Sequence, residues 1–211
     1  MSLQTYSHIY EPPIGDDPTT VILLHGTGGD ARSFLEIGEL VAPTAAKLSI
    51  DGNVDENGMA RFFRRRAEGV YDMDDLRERT AELDVFIQAA LEAEGRGAGY
   101  AIGIGYSNGA NILANLLFTA PHTMRRMILM HPLIPFEPAP YASFGGTSIL
   151  MTEGARDPIA PAMFGDGLEA SLVSRGAMVD RYRHPGGHEL RNEEISAARA
   201  WIAGLGLKSA A

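Results

Sequence analysis

Short runs that stay apolar at every position, rather than at alternate ones, recur along this chain with helix-like patterns between them. A strand that is apolar on both sides must be covered on both sides, so the pattern predicts a mostly parallel central sheet with helices on both faces, the α/β class. The predicted strands are residues 20–25, 45–50, 100–105, 127–131, 148–152 and 179–183. Between them, Asp30 caps a helix carrying Phe34, Leu35, Leu40 and Val41 that stops before Pro43. The strongest helical pattern runs from Asp72 to about Glu94, with Leu76, Leu83, Phe86, Ile87, Ala90 and Leu91 on one face and Gly95 behind. Ile112, Leu113, Leu116 and Leu117 mark the next helix, residues 162–174 a fourth, and Asn192 is expected to cap a fifth with Ile195, Ala198, Trp201 and Ile202 on one face. Residues 51–71 read as an irregular loop, Pro12-Pro13 and 132–140 as turns or a small flap, and 208–211 as a frayed end.

A chain of 211 residues hides roughly 70% of its unfolded surface in a single fold, so residues 1–211 are expected to form one domain. The absence of cysteine excludes a disulfide framework, a thiolate metal site and a Cys nucleophile. With 27 Asp and Glu against 18 Lys and Arg, the net charge of -9 repels phosphate backbones, and nucleic acid is not expected as a partner. The first residues lack a basic stretch followed by an apolar one, and no run nears the roughly 18 apolar residues a membrane span needs. A soluble, cytoplasmic protein is expected.

Gly105-Tyr-Ser107-Asn-Gly109 matches G-x-S-x-G and falls between a predicted strand and a predicted helix, the setting of a nucleophile elbow. A serine hydroxyl is a weak nucleophile unless a base takes its proton and a third group orients that base. Asp157 follows the strand 148–152, and His188 sits in a glycine-loosened loop after the last strand. Serine, acid, histidine is the chain order of the α/β-hydrolase triad, and loops at the carboxyl ends of neighbouring parallel strands can converge. Glu153 or Asp180 could orient the histidine instead. His25 reads as structural, and His8, His122 and His131 lie at other junctions. For an oxyanion hole the amide after the nucleophile, Asn108, would pair with one from His25-Gly-Thr27-Gly-Gly, taken as Thr27.

Other readings compete. Gly26-Thr-Gly28-Gly-Asp-Ala31 fits the glycine fingerprint of a dinucleotide-binding enzyme, with Asp51 about 20 residues on, yet leaves Ser107, Asp157 and His188 unexplained. An inert binding protein on a hydrolase scaffold is a third possibility. His184 and His188 are spaced like a helical metal pair, but Pro185-Gly-Gly between them forbids the helix, so no metal is expected. The basic run from Arg61 to Arg66 is read as solvated surface. Alternatively Phe62 or Phe63 walls an acyl pocket, an arginine meets a polar group of the substrate, and Met59, Met73 or Met163 lines the pocket.

On His25-Gly-Thr-Gly-Gly-Asp30, Gly105-Tyr-Ser-Asn-Gly109, Gly154-Ala-Arg-Asp157-Pro and Gly187-His188, the chain resembles the phospholipase/carboxylesterase branch of the α/β-hydrolases, which includes acyl-protein thioesterases. Residues 51–65 resemble a segment of a bacterial carboxylesterase subgroup associated with hydroquinone and quinone stress. The resemblance implies an α/β-hydrolase fold with little or no cap domain, a serine hydrolase of small carboxylic esters or thioesters, a homodimer, and neither metal nor cofactor. The related dienelactone hydrolases use a cysteine nucleophile, which this chain lacks.

Overall fold

The computed structural model describes residues 4–67, 69–133 and 143–207. The first half runs β1 (His8–Glu11), β2 (Thr20–Leu24), α1 (Ala31–Val41), β3 (Ala46–Ile50), β4 (Val54–Glu56), β5 (Met59–Arg61), β6 (Arg65–Ala67), β7 (Val70–Tyr71) and α2 (Met73–Ala93). After a 3-10 turn come β8 (Ala101–Tyr106), α3 (Asn108–Thr119), β9 (Arg126–Met130), β10 (Ser148–Gly154), α4 (Ala162–Ser174), β11 (Met178–His184) and α5 (Asn192–Gly204). Seven strands make one sheet in the order β1-β3-β2-β8-β9-β10-β11. All neighbours are parallel except β1, which runs antiparallel to β3 at the edge.

The period of two along each strand sorts the core into two layers. Ile22 and Leu24 of β2 pack with Leu48, Ile50, Met127, Leu129, Ile149 and Met151 against α2, α3 and α4. Val21 and Leu23 point the other way, with Ile102, Ile104, Ile128 and Leu150, onto α1 and α5. Each such Leu or Ile contributes about 1.5–3 kcal/mol when fully buried. Helix α3, buried at eleven of its twelve positions, lies over the middle of the sheet. Its start is therefore held at the strand ends, where β2 and β8 lie side by side.

Local chemistry sets the helix ends. Asp30 accepts from Ser33 N at 2.7 Å while Ser33 Oγ accepts from Asp30 N, a reciprocal cap on α1. Asp72 accepts from Asp75 N at 3.3 Å, and Gly95, at φ 62°, follows α2 in the left-handed region. Leu40, expected on the apolar face of α1, is exposed. The fifth helix corrects the expectation for Asn192, which is its first residue and not its cap. The buried Glu194 reaches back to accept from Arg191 N at 2.7 Å, so the cap falls one residue earlier.

Two features depart from the expected layout. β1 gives no continuous apolar signal because an edge strand is covered incompletely, and its four residues are exposed or half-buried. Residues 51–71 are two short hairpins, β4–β5 and β6–β7, rather than an irregular loop. Asn57 and Gly58 turn the first of them, both at positive φ (55° and 83°), as a tight two-residue hairpin turn requires. The expected flap at 132–140 falls mostly, and the frayed end at 208–211 wholly, outside the described residues. No described helix is long and apolar enough to cross a membrane.

Candidate active site

Ser107 stands between β8 and α3 with φ 51° and ψ −111°, a backbone conformation that costs a non-glycine residue on the order of 1–3 kcal/mol. The turn is tight enough to explain its glycines. A Cβ on Gly105 would lie 2.6 Å from the backbone of Gly109, and one on Gly109 would lie 2.1 Å from the carbonyl oxygen of Leu24. Ser107 N donates to Met130 O at 2.9 Å, so the neighbouring strand fixes the strained turn. The positive end of α3 points at this spot.

Three loops at the carboxyl edge of the sheet meet there. The Ser107 hydroxyl lies 2.9 Å from His188 Nε2, and His188 Nδ1 lies 2.7 Å from Asp157 Oδ2. Asp157 Oδ1 accepts from the backbone N–H groups of Ile159 and Ala160, both at 2.9 Å. Tyr106 OH donates to the carbonyl of His188 at 2.7 Å, tying the histidine loop to β8, and burial raises that phenol to about 12. Burial pushes the Asp157 carboxyl up, but the bonds from Ala160, His131 and His188 outweigh it and hold it below its ordinary value. Glu153 is occupied by Arg181 and Arg183, and Asp180 accepts from the Trp201 indole, so neither alternative acid reaches His188.

Behind Asp157 lies a second set of polar groups that sequence reasoning missed. His131 Nδ1 is 2.8 Å from the same Asp157 Oδ2, and its Nε2 is 3.4 Å from Glu194 Oε1. Glu194 also accepts from Thr152 Oγ1 at 2.7 Å. Burial alone would lower the His131 imidazole, but its bonds to Glu194 and Asp157 raise it above the ordinary histidine value. The available signal was topological. His131 directly follows β9, the strand that lies between those leading to Ser107 and Asp157.

His184 and His188 do not converge: His184 Nε2 faces His131, while His188 faces Ser107 and Asp157. His131, His184 and Glu194 bring three potential ligand atoms within 4.8 Å of one another. The N–H of Gly186 donates to His184 Nδ1 at 3.1 Å, which leaves the ring proton on Nε2 and removes the lone pair a metal would need.

On the other side of Ser107, the glycine loop after β2 faces the same cleft. Gly28 N donates to Ala60 O at 2.9 Å, so the first hairpin holds the loop. Among the described residues the N–H groups of Thr27 and Asn108 have no protein acceptor, and both residues line the cleft. His25 is structural here: it donates from Nδ1 to Gly26 O and accepts at Nε2 from Gly52 N, and burial lowers its imidazole. Asp51, the acid of the dinucleotide reading, accepts instead from Ala31 N at 2.6 Å and serves the start of α1.

Phe62 and Phe63 require a correction. Both are fully buried in the core and wall no pocket, because Asn108 Oδ1 accepts from Phe62 N and draws this segment inward. Arg61 turns out to be buried rather than solvated. It donates through Nη1 to Thr27 Oγ1 at 2.5 Å and through Nε to Phe63 O, while Nη2 has no protein partner among the described residues. The cleft, about 540 Å³, has Arg61 and Arg65 on the hairpin side and Leu133, Ile159 and Phe164 opposite. Met59 lines it, whereas Met73 packs on the core and Met163 projects into solvent.

A parallel sheet of this order, with a strained serine turn entering the central helix and the Asp and His loops beyond it, defines an α/β-hydrolase. No protein-family model matches the chain. MhqD of Bacillus subtilis (strain 168), by name a hydrolase, is 40% identical over 194 residues, 92% of this chain and 96% of that protein. The carboxylesterase of Bacillus cereus superposes with a TM-score of 0.90 at 36% identity, covering 95% of this chain and 94% of that one. A carboxylesterase from Mesorhizobium loti gives 0.85 at 28% identity over 90% of each chain. The chain belongs to their family and is a carboxylesterase-type hydrolase.

Proposed function

We propose that the protein hydrolyses small carboxylic esters or thioesters through an acyl-enzyme on Ser107. The supporting observation is the continuous chain of hydrogen bonds from Ser107 through His188 to Asp157. His188 takes the hydroxyl proton as Ser107 Oγ attacks the acyl carbonyl, then returns it to the leaving alcohol or thiol. Asp157 holds the Nδ1–H tautomer and stabilises the imidazolium. The free amides of Thr27 and Asn108 receive the oxyanion, and water attacks the acyl-enzyme by the reverse route. The reading takes residues 1–211 as one cytoplasmic domain acting on small molecules as a homodimer, without nucleic acid, cofactor or metal.

A fluorophosphonate tests nucleophile, base and oxyanion hole together. One covalent adduct per chain is expected by intact mass, absent from Ser107→Ala; a folded native chain that takes no label would sink the serine mechanism.

The two walls of the cleft divide the substrate. Arg61, whose Nη1 is also 3.7 Å from Glu56 Oε2, offers its Nη2 to a polar or anionic group, and Ile159 and Phe164 receive an apolar one. Half-esters of dicarboxylic acids should therefore lose more kcat/KM than neutral esters of equal length when Arg61 is replaced by Lys. An equal loss on both would reduce Arg61 to a brace for Thr27.

A further inference from the structure

His131 has no part in the serine mechanism, yet it touches the acid on which that mechanism depends. Its side chain, like those of Asp157 and Glu194, is fully buried. Two carboxylates in such a place need a compensating positive charge, and the described residues bring no Lys or Arg side chain to either. The groups that face His131 are few. Asp157 comes from the loop after β10, Glu194 from α5, His184 from β11, His188 from the loop before α5, and the Tyr106 ring from β8, 5.8 Å away.

Among them only His131 is placed to carry the charge. His184 accepts from Gly186 N at Nδ1, so that nitrogen is already engaged as an acceptor. His188 Nε2 faces the Ser107 hydroxyl and must stay unprotonated to act as a base. His131 presents one ring nitrogen to each carboxylate, at 2.8 Å and 3.4 Å. A bare Nε2 would set its lone pair against those of Glu194 and could accept only from the His184 N–H 3.4 Å away, whereas an N–H there binds Glu194 and leaves the His184 N–H to Glu194 Oε1 at 3.5 Å.

We infer that His131 is a positioning residue of this site, a buried imidazolium that shares Asp157 Oδ2 with His188, fixes that carboxylate, and opposes uptake of a proton by His188. The rings of His131 and His188 are 5.1 Å apart, so the positive charge on one disfavours a positive charge on the other. Asp157, split between two imidazoles, orients His188 without drawing a proton onto it in the resting enzyme. The consequence is activity that persists further into mildly acid solution than an Asp–His pair alone would allow.

The inference rests on Asp157 and His188 being the acid and base of the proposed mechanism, and two measurements keep the two ideas apart. In the unmodified protein, 15N spectra of the histidine rings should show both nitrogens of His131 protonated at pH 7. A bare nitrogen there overturns the inference and leaves the serine mechanism standing. The pH dependence of kcat/KM is then compared in the native enzyme, His131→Gln, His131→Asn and His131→Gln/Glu194→Gln. Either single variant leaves two buried carboxylates and no cation, and its acid limb should move up by about one pH unit or more. The double variant restores the buried net charge and should bring the limb back toward the native position. An acid limb that stays in place in a folded single variant, whatever its stability, overturns the inference. Labelling of Ser107 by a fluorophosphonate, followed in the same samples, reports separately on the mechanism itself.

Discussion

Ser107→Ala is expected to lower kcat for ester hydrolysis by about 10⁴–10⁶-fold while the protein stays folded. The size follows from the hydroxyl's role in the proposed mechanism, in which without it no acyl-enzyme forms and His188 has no proton to take. The expectation that the fold survives follows from the surroundings. Among the described residues the side chain's one hydrogen-bond partner is His188, and alanine meets the same backbone requirement at φ 51° that serine already meets. Turnover of a soluble aryl ester, set beside the thermal unfolding midpoint, decides the point. A folded variant that keeps more than about one hundredth of native turnover would place the nucleophile elsewhere.

Asp157→Asn should be nearly as damaging to activity, about 10⁴-fold in kcat, and should also weaken the fold. The carboxylate accepts on both sides, Oδ1 from the amides of Ile159 and Ala160 and Oδ2 from His131 and His188. All four partners approach as donors. An asparagine side chain must turn its NH₂ toward one pair or the other, and either choice opposes donor to donor in a buried place, at about 1–3 kcal/mol. The His188 ring then loses the partner that selects its tautomer. Kinetics at pH 8, where an ordinary histidine base is neutral, separate this from a simple protonation effect. Activity within tenfold of native would assign the orienting role to another group.

Much of the site was legible because the features that built it are local. The strand, the glycines and the helix around Ser107 are contiguous, and Gly105 and Gly109 read correctly since a turn that brings Gly109 against Leu24 leaves no space for side chains. That Asp157 and His188 would meet beside Ser107 was expected from order along the chain, which a parallel sheet converts into adjacency at one edge. The hairpins at 54–71 escaped notice because their strands are two or three residues long and show no periodicity, although Asn57-Gly58 was a usable turn signal. Phe62 and Phe63 were misplaced for a related reason. Flanking arginines suggested surface, whereas the segment is pulled inward by Asn108, a contact across 46 positions that no local pattern encodes. His131 and Glu194 join the end of strand β9 to helix α5 from the residue just past the strand, and such a pairing becomes visible only once the strand order is known.

The contact between Gly154 and Gly187 carries a mechanical consequence. A Cβ on Gly154 would lie 1.9 Å from the carbonyl oxygen of Gly187, so the end of β10 and the loop that carries His188 touch through bare backbone. Hydrogen bonds from Ala155 N to His184 O and from Arg156 N to Gly186 O clamp the same joint at 2.8 and 2.9 Å. The loops of Asp157 and His188 thus ride on one splint, with no side chain in the joint to act as a bearing. A substitution that thickens this joint, though it touches neither Asp157 nor His188, would pry the pair apart.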